Sequence, residues 1–190
     1  MNYLAHLFLS ADEDQLVIGN LMGDFVKGNR FEHLPQKVVQ GIYQHRAIDK
    51  FTDSHAAVTD LKHYLSPERK RFSGIIADVA FDHFLAKHFS RFSELSLQEF
   101  TNKKHQQLAE HLQMMPQNMQ DVVTRMVSGR WLENYQQMQS IDSALNGIAN
   151  RIRFDNKLHG AGDEVYKHYQ HFEYAFLQFF PQLKNFADKL

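Results

Sequence analysis

The chain has 190 residues, of which 43% are hydrophobic and 23% charged, as is typical of a globular protein of one domain. Its formal net charge of -1 gives no sign of a protein that binds nucleic acid or a membrane surface. There is no cysteine, which excludes disulfide bonds and thiolate ligands, so any bound metal must be held by His, Asp or Glu.

Helical spacing of apolar residues recurs along the whole chain, while glycine (9) and proline (4) are scarce. The pattern predicts an all-α fold, a compact helical bundle in which residues 1–190 form a single domain. We expect helices near residues 2–10, 14–24, 35–52, 54–65, 67–90, 97–114, 117–137, 141–154 and 162–180, followed by a short tail helix.

Several local patterns mark helix starts. Ser66-Pro67-Glu68 predicts an N-cap with proline in the first turn, and Ser96 with Glu99 predicts a capping box. The other prolines, at positions 35, 116 and 181, also stand where helices could begin.

The first predicted helix is apolar apart from His6. Its apolar run is too short to span a bilayer and no basic leader precedes it, so we expect a cytoplasmic protein. A single histidine on such a helix is either a hydrogen-bonded core residue or a ligand.

Asp24 follows the glycine-containing segment 19–23 and precedes Phe25. This position suits the end of a helix, where glycine lets the backbone approach another group closely. The carboxylate of Asp24 could serve a site there, or it could belong to an ordinary turn.

The segment from Val38 to His55 places His45 and Asp49 on one helical face, within an arc of roughly 80° that also holds apolar residues. The i,i+4 spacing lets an imidazole and a carboxylate reach one centre, and it equally suits a simple salt bridge. Asp53 or Ser54 is expected to cap the next helix.

The segment from Phe72 to Phe92 is apolar nearly all round and should be central. It nevertheless carries Asp78 and Asp82 on one face, and His83 on the opposite side. Burying two neighbouring carboxylates costs several kcal/mol or more unless they gain partners. A divalent cation between them would remove that cost, as would helix capping or pairing with Arg or Lys.

Acidic and imidazole side chains thus recur in four separate apolar segments, which favours a metal centre; they are His6, Asp24, His45, Asp49, Asp78, Asp82 and His83. Oxygen and nitrogen ligands without sulfur suit Mn, Mg, Fe(II) or Zn. Such a centre neutralises phosphate oxygens and lowers the pKa of bound water during phosphoester hydrolysis. The chain has neither a Walker lysine loop nor a Gly-x-Ser-x-Gly elbow, so covalent serine catalysis has no support.

Four ordered blocks resemble the acyl carrier protein phosphodiesterase family. They are Met1-Asn2-Tyr3-Leu4-Ala5-His6-Leu7, residues 19–28 (GNLMGDFVKG), residues 45–55 (HRAIDKFTDSH) and residues 77–85 (ADVAFDHFL). The likeness covers essentially the whole chain, with the distinctive blocks in its first half.

This resemblance implies a helical fold related to the HD metal-dependent phosphohydrolases, with Mn²⁺ as the expected ion and Mg²⁺ or Fe²⁺ as alternatives. It also implies hydrolysis of the phosphodiester that links 4′-phosphopantetheine to a serine of holo-acyl carrier protein. The chain departs from the wider superfamily because it has no His-Asp dipeptide, only the reversed Asp82-His83. With this departure, we predict catalytic roles for Asp24, Asp49 and His45, and metal ligands among His6, Asp24, Asp78, Asp82 and His83.

The implied partner is acidic, so basic residues near the four blocks are candidates for its docking surface. They are Lys27, Arg30, Arg46, Lys50, Arg69, Lys70 and Arg71, and each could instead be an ordinary surface charge. No nucleic acid or membrane is expected as a partner, and the oligomeric state is not readable from the sequence. Two other functions remain open: an HD-type phosphohydrolase acting on a nucleotide, and a non-catalytic helical module that binds a carrier protein.

Overall fold

Eleven α-helices form most of residues 1–31 and 33–190, which are the residues that the computed structural model describes. Short 3₁₀ turns connect several of them. The prediction of an all-α fold is confirmed. In chain order the α-helices are α1 (Tyr3–Leu9), α2 (Asp14–Met22), α3 (Gln36–Ser54), α4 (Ala56–Thr59), α5 (Ser73–Lys87), α6 (Leu97–Glu110), α7 (Gln117–Ser128), α8 (Trp131–Asn134), α9 (Gln139–Arg151), α10 (Gly162–Lys167) and α11 (Tyr169–Ala187).

Helix α5 lies at the centre of the molecule, where it packs against α1, α9 and α11. Its residues from Ile76 to Ala86 are buried except for Asp78, as expected for a helix that is apolar nearly all round. The buried apolar side chains of the chain form one contiguous cluster from Met1 to Ala187. Among the helices that the structure describes, none combines the length and the hydropathy that crossing a membrane requires.

Helices α2 and α3 pack with unusually close backbones because glycines line their contact. A Cβ atom on Gly19 would overlap the Val38 carbonyl, and one on Gly41 would overlap the Leu16 carbonyl. The approach is possible only because both positions lack a side chain. It brings the C-terminal end of α2 against the middle of α3.

The predicted capping box is confirmed. The Ser96 hydroxyl accepts from the Glu99 amide at 3.2 Å, and the Glu99 carboxylate accepts from the Ser96 amide at 2.8 Å. The cap predicted for the helix after α3 is wrong, because His55 takes that position and its Nδ1 accepts from the Ala57 amide at 3.2 Å. The ring nitrogen provides an acceptor where Asp or Ser usually stands.

Two other predicted helix starts are wrong. Residues after Ser66 form a turn, and α5 begins only at Ser73; Glu164 of α10 anchors this turn by accepting from the Ser66 amide at 2.9 Å and from Arg69 at 2.8 Å. Pro181 lies inside α11, which continues to Ala187. Burial of Phe179, Phe180 and Leu183 holds that helix together across the proline.

The helix predicted over 117–137 is split in two. Helix α7 ends at Ser128, and Arg130 adopts a left-handed conformation with φ of 49° before α8 begins. Gly129 and Trp131, on either side of this break, line one wall of a cavity between α1 and α9.

Candidate active site

Three side chains from α1 and α3 converge at the junction of α1, α2 and α3. His6 Nε2 lies 3.1 Å from Asp49 Oδ1, and His45 Nε2 lies 3.0 Å from Asp49 Oδ2. The two imidazole rings stack with centroids 3.9 Å apart. Each of the three residues offers a ligand atom within 4.8 Å of the other two, a grouping found once in the described part of the chain.

Two residues that follow α2 shape this cluster: Gly23 leaves space for the His45 ring, and Asp24 adds a carboxylate. A Cβ atom on Gly23 would overlap the His45 ring, so the imidazole can occupy its place only beside a glycine. Asp24 follows, with Oδ1 3.5 Å from His45 Nε2 and about 40% of its side chain exposed. Asp24 therefore forms the open side of the cluster, whereas His6 and His45 are buried.

Hydrogen bonds that connect His6 through Asn20 and Gln44 to the Leu9 carbonyl determine which ring nitrogen of His6 carries the proton. Gln44 Nε2 donates to the Leu9 carbonyl at 3.3 Å, which leaves Gln44 Oε1 to accept from Asn20 Nδ2 at 3.1 Å. Asn20 Oδ1 must then accept from His6 Nδ1, at 2.9 Å. A neutral His6 consequently presents the lone pair of Nε2 to the cluster, as a metal ligand does.

The electrostatics of the cluster depend on this arrangement. Burial lowers the pKa of His6, and the nearby charge of His45 lowers it further. Burial opposes protonation of His45 as well, but hydrogen bonds to Asp24 and Asp49 outweigh it and raise its pKa to about 9. Although burial acts to raise the pKa of Asp49, His45 and His6 hold that carboxyl far below its usual range. The pKa of Asp24 is also lowered, by His45 against the effect of burial.

The cluster fits a divalent cation on its donor chemistry. The lone pair of His6 Nε2 and an oxygen of the ionised Asp49 face each other at 3.1 Å, and two acceptors at that distance need a cation or a proton between them. The protonated His45 supplies positive charge to Asp24 and Asp49 from the other side. A metal ion would take over that role and release the proton of His45.

Of the predicted residues on α5, the structure brings one to the edge of the cluster. Asp78 Oδ1 lies 2.9 Å from the Met1 amine, which also lies 3.2 Å from Asp49 Oδ1. Burial raises the pKa of Asp78 despite the charge of this amine.

The structure gives Asp82 and His83 other contacts. Asp82 accepts from the Leu4 amide at 2.7 Å and the Ala5 amide at 3.0 Å, so it caps the start of α1. Burial nevertheless raises the pKa of Asp82 to about 7, against the effect of these two amides. His83 points away from the cluster, with its ring nitrogens 2.8 Å from the Tyr135 carbonyl and 2.9 Å from the Tyr169 hydroxyl.

The basic residues predicted for docking fall into two groups. Lys27, Arg30 and Lys50 are exposed and lie within six residues of Asp24 or Asp49 in the sequence, and Lys70 is exposed farther along the chain. The other three bind parts of their own fold. Arg46 donates to the Gly28 carbonyl at 2.7 Å, Arg69 pairs with Glu164 at 2.8 Å, and Arg71 donates to the Asp155 carbonyl at 3.2 Å.

Sequence reasoning missed Asn20 and Gln44, which orient His6. Asn20 is fully buried within the apolar run of α2 from Leu16 to Met22. An amide inside such a run is a signal, because a buried polar group needs partners. Nothing local in the sequence marks Gln44, whose role depends on the approach of α2 to α3.

Comparison with known proteins adds an independent line of evidence. A family model described as acyl carrier protein phosphodiesterase matches residues 1–183. A Klebsiella pneumoniae (strain 342) protein is 38% identical over 189 residues, which cover 99% of this chain and 98% of that protein. One from Enterobacter sp. (strain 638) is 39% identical over 184 residues, or 96% and 95% of the two chains. Both relatives are named acyl carrier protein phosphodiesterase, and no solved structure matches this chain.

Proposed function

Since the chain belongs to the acyl carrier protein phosphodiesterase family, we propose that it removes 4′-phosphopantetheine from holo-acyl carrier protein at a metal centre. The bond hydrolysed is the phosphodiester to the carrier serine, and the products are apo-acyl carrier protein and 4′-phosphopantetheine. The proposal of a metal centre rests on one observation: ligand atoms of His6, His45 and Asp49 lie within 4.8 Å of one another.

These three residues would hold the metal ion, for which Mn²⁺ is proposed and Mg²⁺ or Fe²⁺ are alternatives that the donor atoms allow. When bound, the ion would neutralise phosphate oxygens and lower the pKa of a water molecule. The relation to HD-type phosphohydrolases stays a prediction, as does the cytoplasmic location.

The chain's own residues supply orientation and a proton acceptor. Asn20 holds His6 in the tautomer whose Nε2 faces Asp49. Asp24 lies at the open side and its carboxylate is ionised at neutral pH, so it can orient the attacking water and accept its proton. Asp82 and His83 are left out of the proposed ligand set because protein groups already engage them.

We propose that the carrier protein approaches over Lys27, Arg30 and Lys50. These side chains are exposed and lie within a few residues of Asp24 or Asp49. Their charge suits the acidic partner and would mainly raise the rate of its association. Arg69 and Arg71 are less suited to docking because their guanidinium groups are engaged with the protein's own residues.

The test is to incubate the purified protein with holo-acyl carrier protein and Mn²⁺, with a chelator control, and to follow the mass of the carrier. We expect loss of the phosphopantetheine mass only with metal. Asp49→Asn should slow the reaction by more than about 100-fold, since even groups that merely orient metal ligands are each worth about 10–100-fold. Asp60→Asn, at an exposed carboxylate of a 3₁₀ turn, is the matched control and should keep wild-type activity.

Failure of the folded protein with Mn²⁺, Mg²⁺, Fe²⁺ and Zn²⁺ would refute the proposal. Hydrolysis of nucleotides in the same buffers would then support the HD-type alternative. Binding of the carrier protein without stoichiometric metal would support a non-catalytic module. Full activity of Asp49→Asn would overturn the assignment of the centre.

A further inference from the structure

A cavity of about 700 Å³ lies between the start of α1 and the wall formed by α7, α8 and α9. Its volume is within the range of about 300–1,000 Å³ that is usual for small-molecule sites. Tyr3, Trp131 and Ile148 provide apolar surface within it. The cavity is separate from the metal cluster, and none of the proposed ligands lines it.

The cavity nevertheless adjoins the cluster through the first residues of the chain. Asn2 and Tyr3 line it, while the neighbouring Met1 amine contacts Asp49 at 3.2 Å. The Tyr3 ring stacks on Phe25, the residue after Asp24, with centroids 6.5 Å apart. Tyr3 therefore contacts both the cavity and the residue next to Asp24.

The charge of the cavity is positive. Arg125 and Arg151 line it, and its described lining residues include neither Asp nor Glu. The Arg151 guanidinium lies 3.5 Å from the Tyr3 hydroxyl, which places it at the end nearest α1. Guanidinium groups suit phosphate oxygens because they donate several hydrogen bonds from a planar fork.

The remaining polar surface is rich in side-chain amides. Five of them line the cavity: Asn2, Asn134, Gln137, Gln139 and Asn150. Amide side chains pair well with ligand amides, since each offers both a donor and an acceptor. The arm that the proposed reaction releases is a phosphate joined to a flexible chain with two amide bonds.

We propose that this cavity binds the 4′-phosphopantetheine arm, with Arg151 at the phosphate end and the side-chain amides along the arm. The inference rests on the proposed function, since that reaction supplies the arm. It adds a binding site distinct from the metal ligands and explains how a long prosthetic group would be held while its phosphate lies beside the cluster.

Gly147 allows the cavity to be filled without disturbing the fold. It lies on α9 and lines the cavity, and a Cβ atom built on it meets no atom within 4 Å. Replacing a helical glycine also favours the helix. Gly147→Leu should therefore fold and occupy the space that the arm needs, and Ser143→Trp provides a second plug from an exposed position one turn earlier.

The experiment measures binding of 4′-phosphopantetheine by calorimetry to wild-type protein supplied with Mn²⁺ and to each variant. Thr124→Leu is the control, because Thr124 is exposed on α7 and does not line the cavity. Both plugs should weaken binding by about 10- to 100-fold, which corresponds to about 1.4–2.8 kcal/mol of lost binding free energy, while the control should match wild type. Circular dichroism and thermal unfolding verify that every variant is folded.

Equal affinity of the wild type and both plugged variants would overturn the inference, and so would failure of the wild type to bind. Turnover of holo-acyl carrier protein is recorded separately. If the wild type cleaves the carrier and the plugs do not alter binding, the proposed function stands and the cavity assignment fails. If binding is lost in the plugs but no cleavage occurs, the cavity assignment stands and the proposed function fails.

Discussion

The junction of α1, α2 and α3 and the interface between α5 and α11 are both buried, but they are filled with different kinds of side chain. His6, Asn20 and His45 lie inside the junction, each hydrogen-bonded or charge-paired. The interface holds phenylalanines, with the Phe176 ring packed against Phe81 and other rings. Burial of polar groups costs free energy that burial of phenyl rings does not.

The difference indicates that the side chains that stabilise the fold and those proposed for catalysis lie in separate regions of the protein. The interface buries large apolar areas and should supply much of the free energy of folding. The junction instead gathers ionisable groups whose pKa values are shifted, which is a property of sites rather than of cores. Changes in the two regions should therefore affect different measurements.

The largest effect on stability is expected from Phe176→Ala. Phe176 is fully buried and packs against Phe81, Phe84, Phe92 and Phe180. Removing its ring should lower the free energy of unfolding by about 3–5 kcal/mol through lost burial and a residual cavity. Urea unfolding measures this loss. Manganese stoichiometry, determined below the unfolding transition, should remain that of the wild type.

Tyr174→Ala on the same helix is the control for this comparison. Its side chain is 67% exposed, so the free energy of unfolding should change by no more than about 0.5 kcal/mol. If Phe176→Ala instead failed to bind Mn²⁺ that the wild type binds, while still folded, the separation of the two regions would be wrong.

A smaller effect, on metal affinity, is expected from Asn20→Leu. This change keeps the approximate volume of the side chain but removes the acceptor that holds His6 Nδ1–H. Manganese affinity should fall by about 10- to 100-fold, the usual cost of losing a group that orients a ligand. Titration with Mn²⁺ measures it, and Asn146→Leu, on α9 away from the junction, should match the wild type. Unchanged affinity in Asn20→Leu would remove the support for His6 as an oriented ligand.

The smallest effect is expected from His83→Gln, which changes a histidine of α5 that is also buried. The Gln amide can keep one of the two hydrogen bonds to Tyr135 and Tyr169, so the free energy of unfolding should fall by about 1 kcal/mol. Manganese affinity should not change, because the ring points away from the cluster. A tenfold loss of manganese affinity would instead support His83 as a metal ligand, as predicted from the sequence.

Much of the fold was predictable from the sequence because its signals are local. Helical periodicity gave the positions of most helices, and Ser96 with Glu99 marked one start correctly. The errors arose where a distant residue intervened. Glu164 fixes the amide of Ser66, and buried phenylalanines carry α11 through Pro181, so neither outcome follows from the neighbouring residues alone.

For the site, the sequence alone determined which chemistry was available. It gave an acid- and histidine-rich set with no thiolate, the i,i+4 pair of His45 and Asp49, and the resemblance to a phosphodiesterase family, which the comparisons confirm. The tertiary structure decided which of those groups meet. On α5 the periodicity placed Asp78 and Asp82 on one face, yet one lies beside the cluster and the other caps α1. The reason is physical: a helical repeat fixes the direction of a side chain, whereas its partner is set by the neighbouring helix and the distance between them.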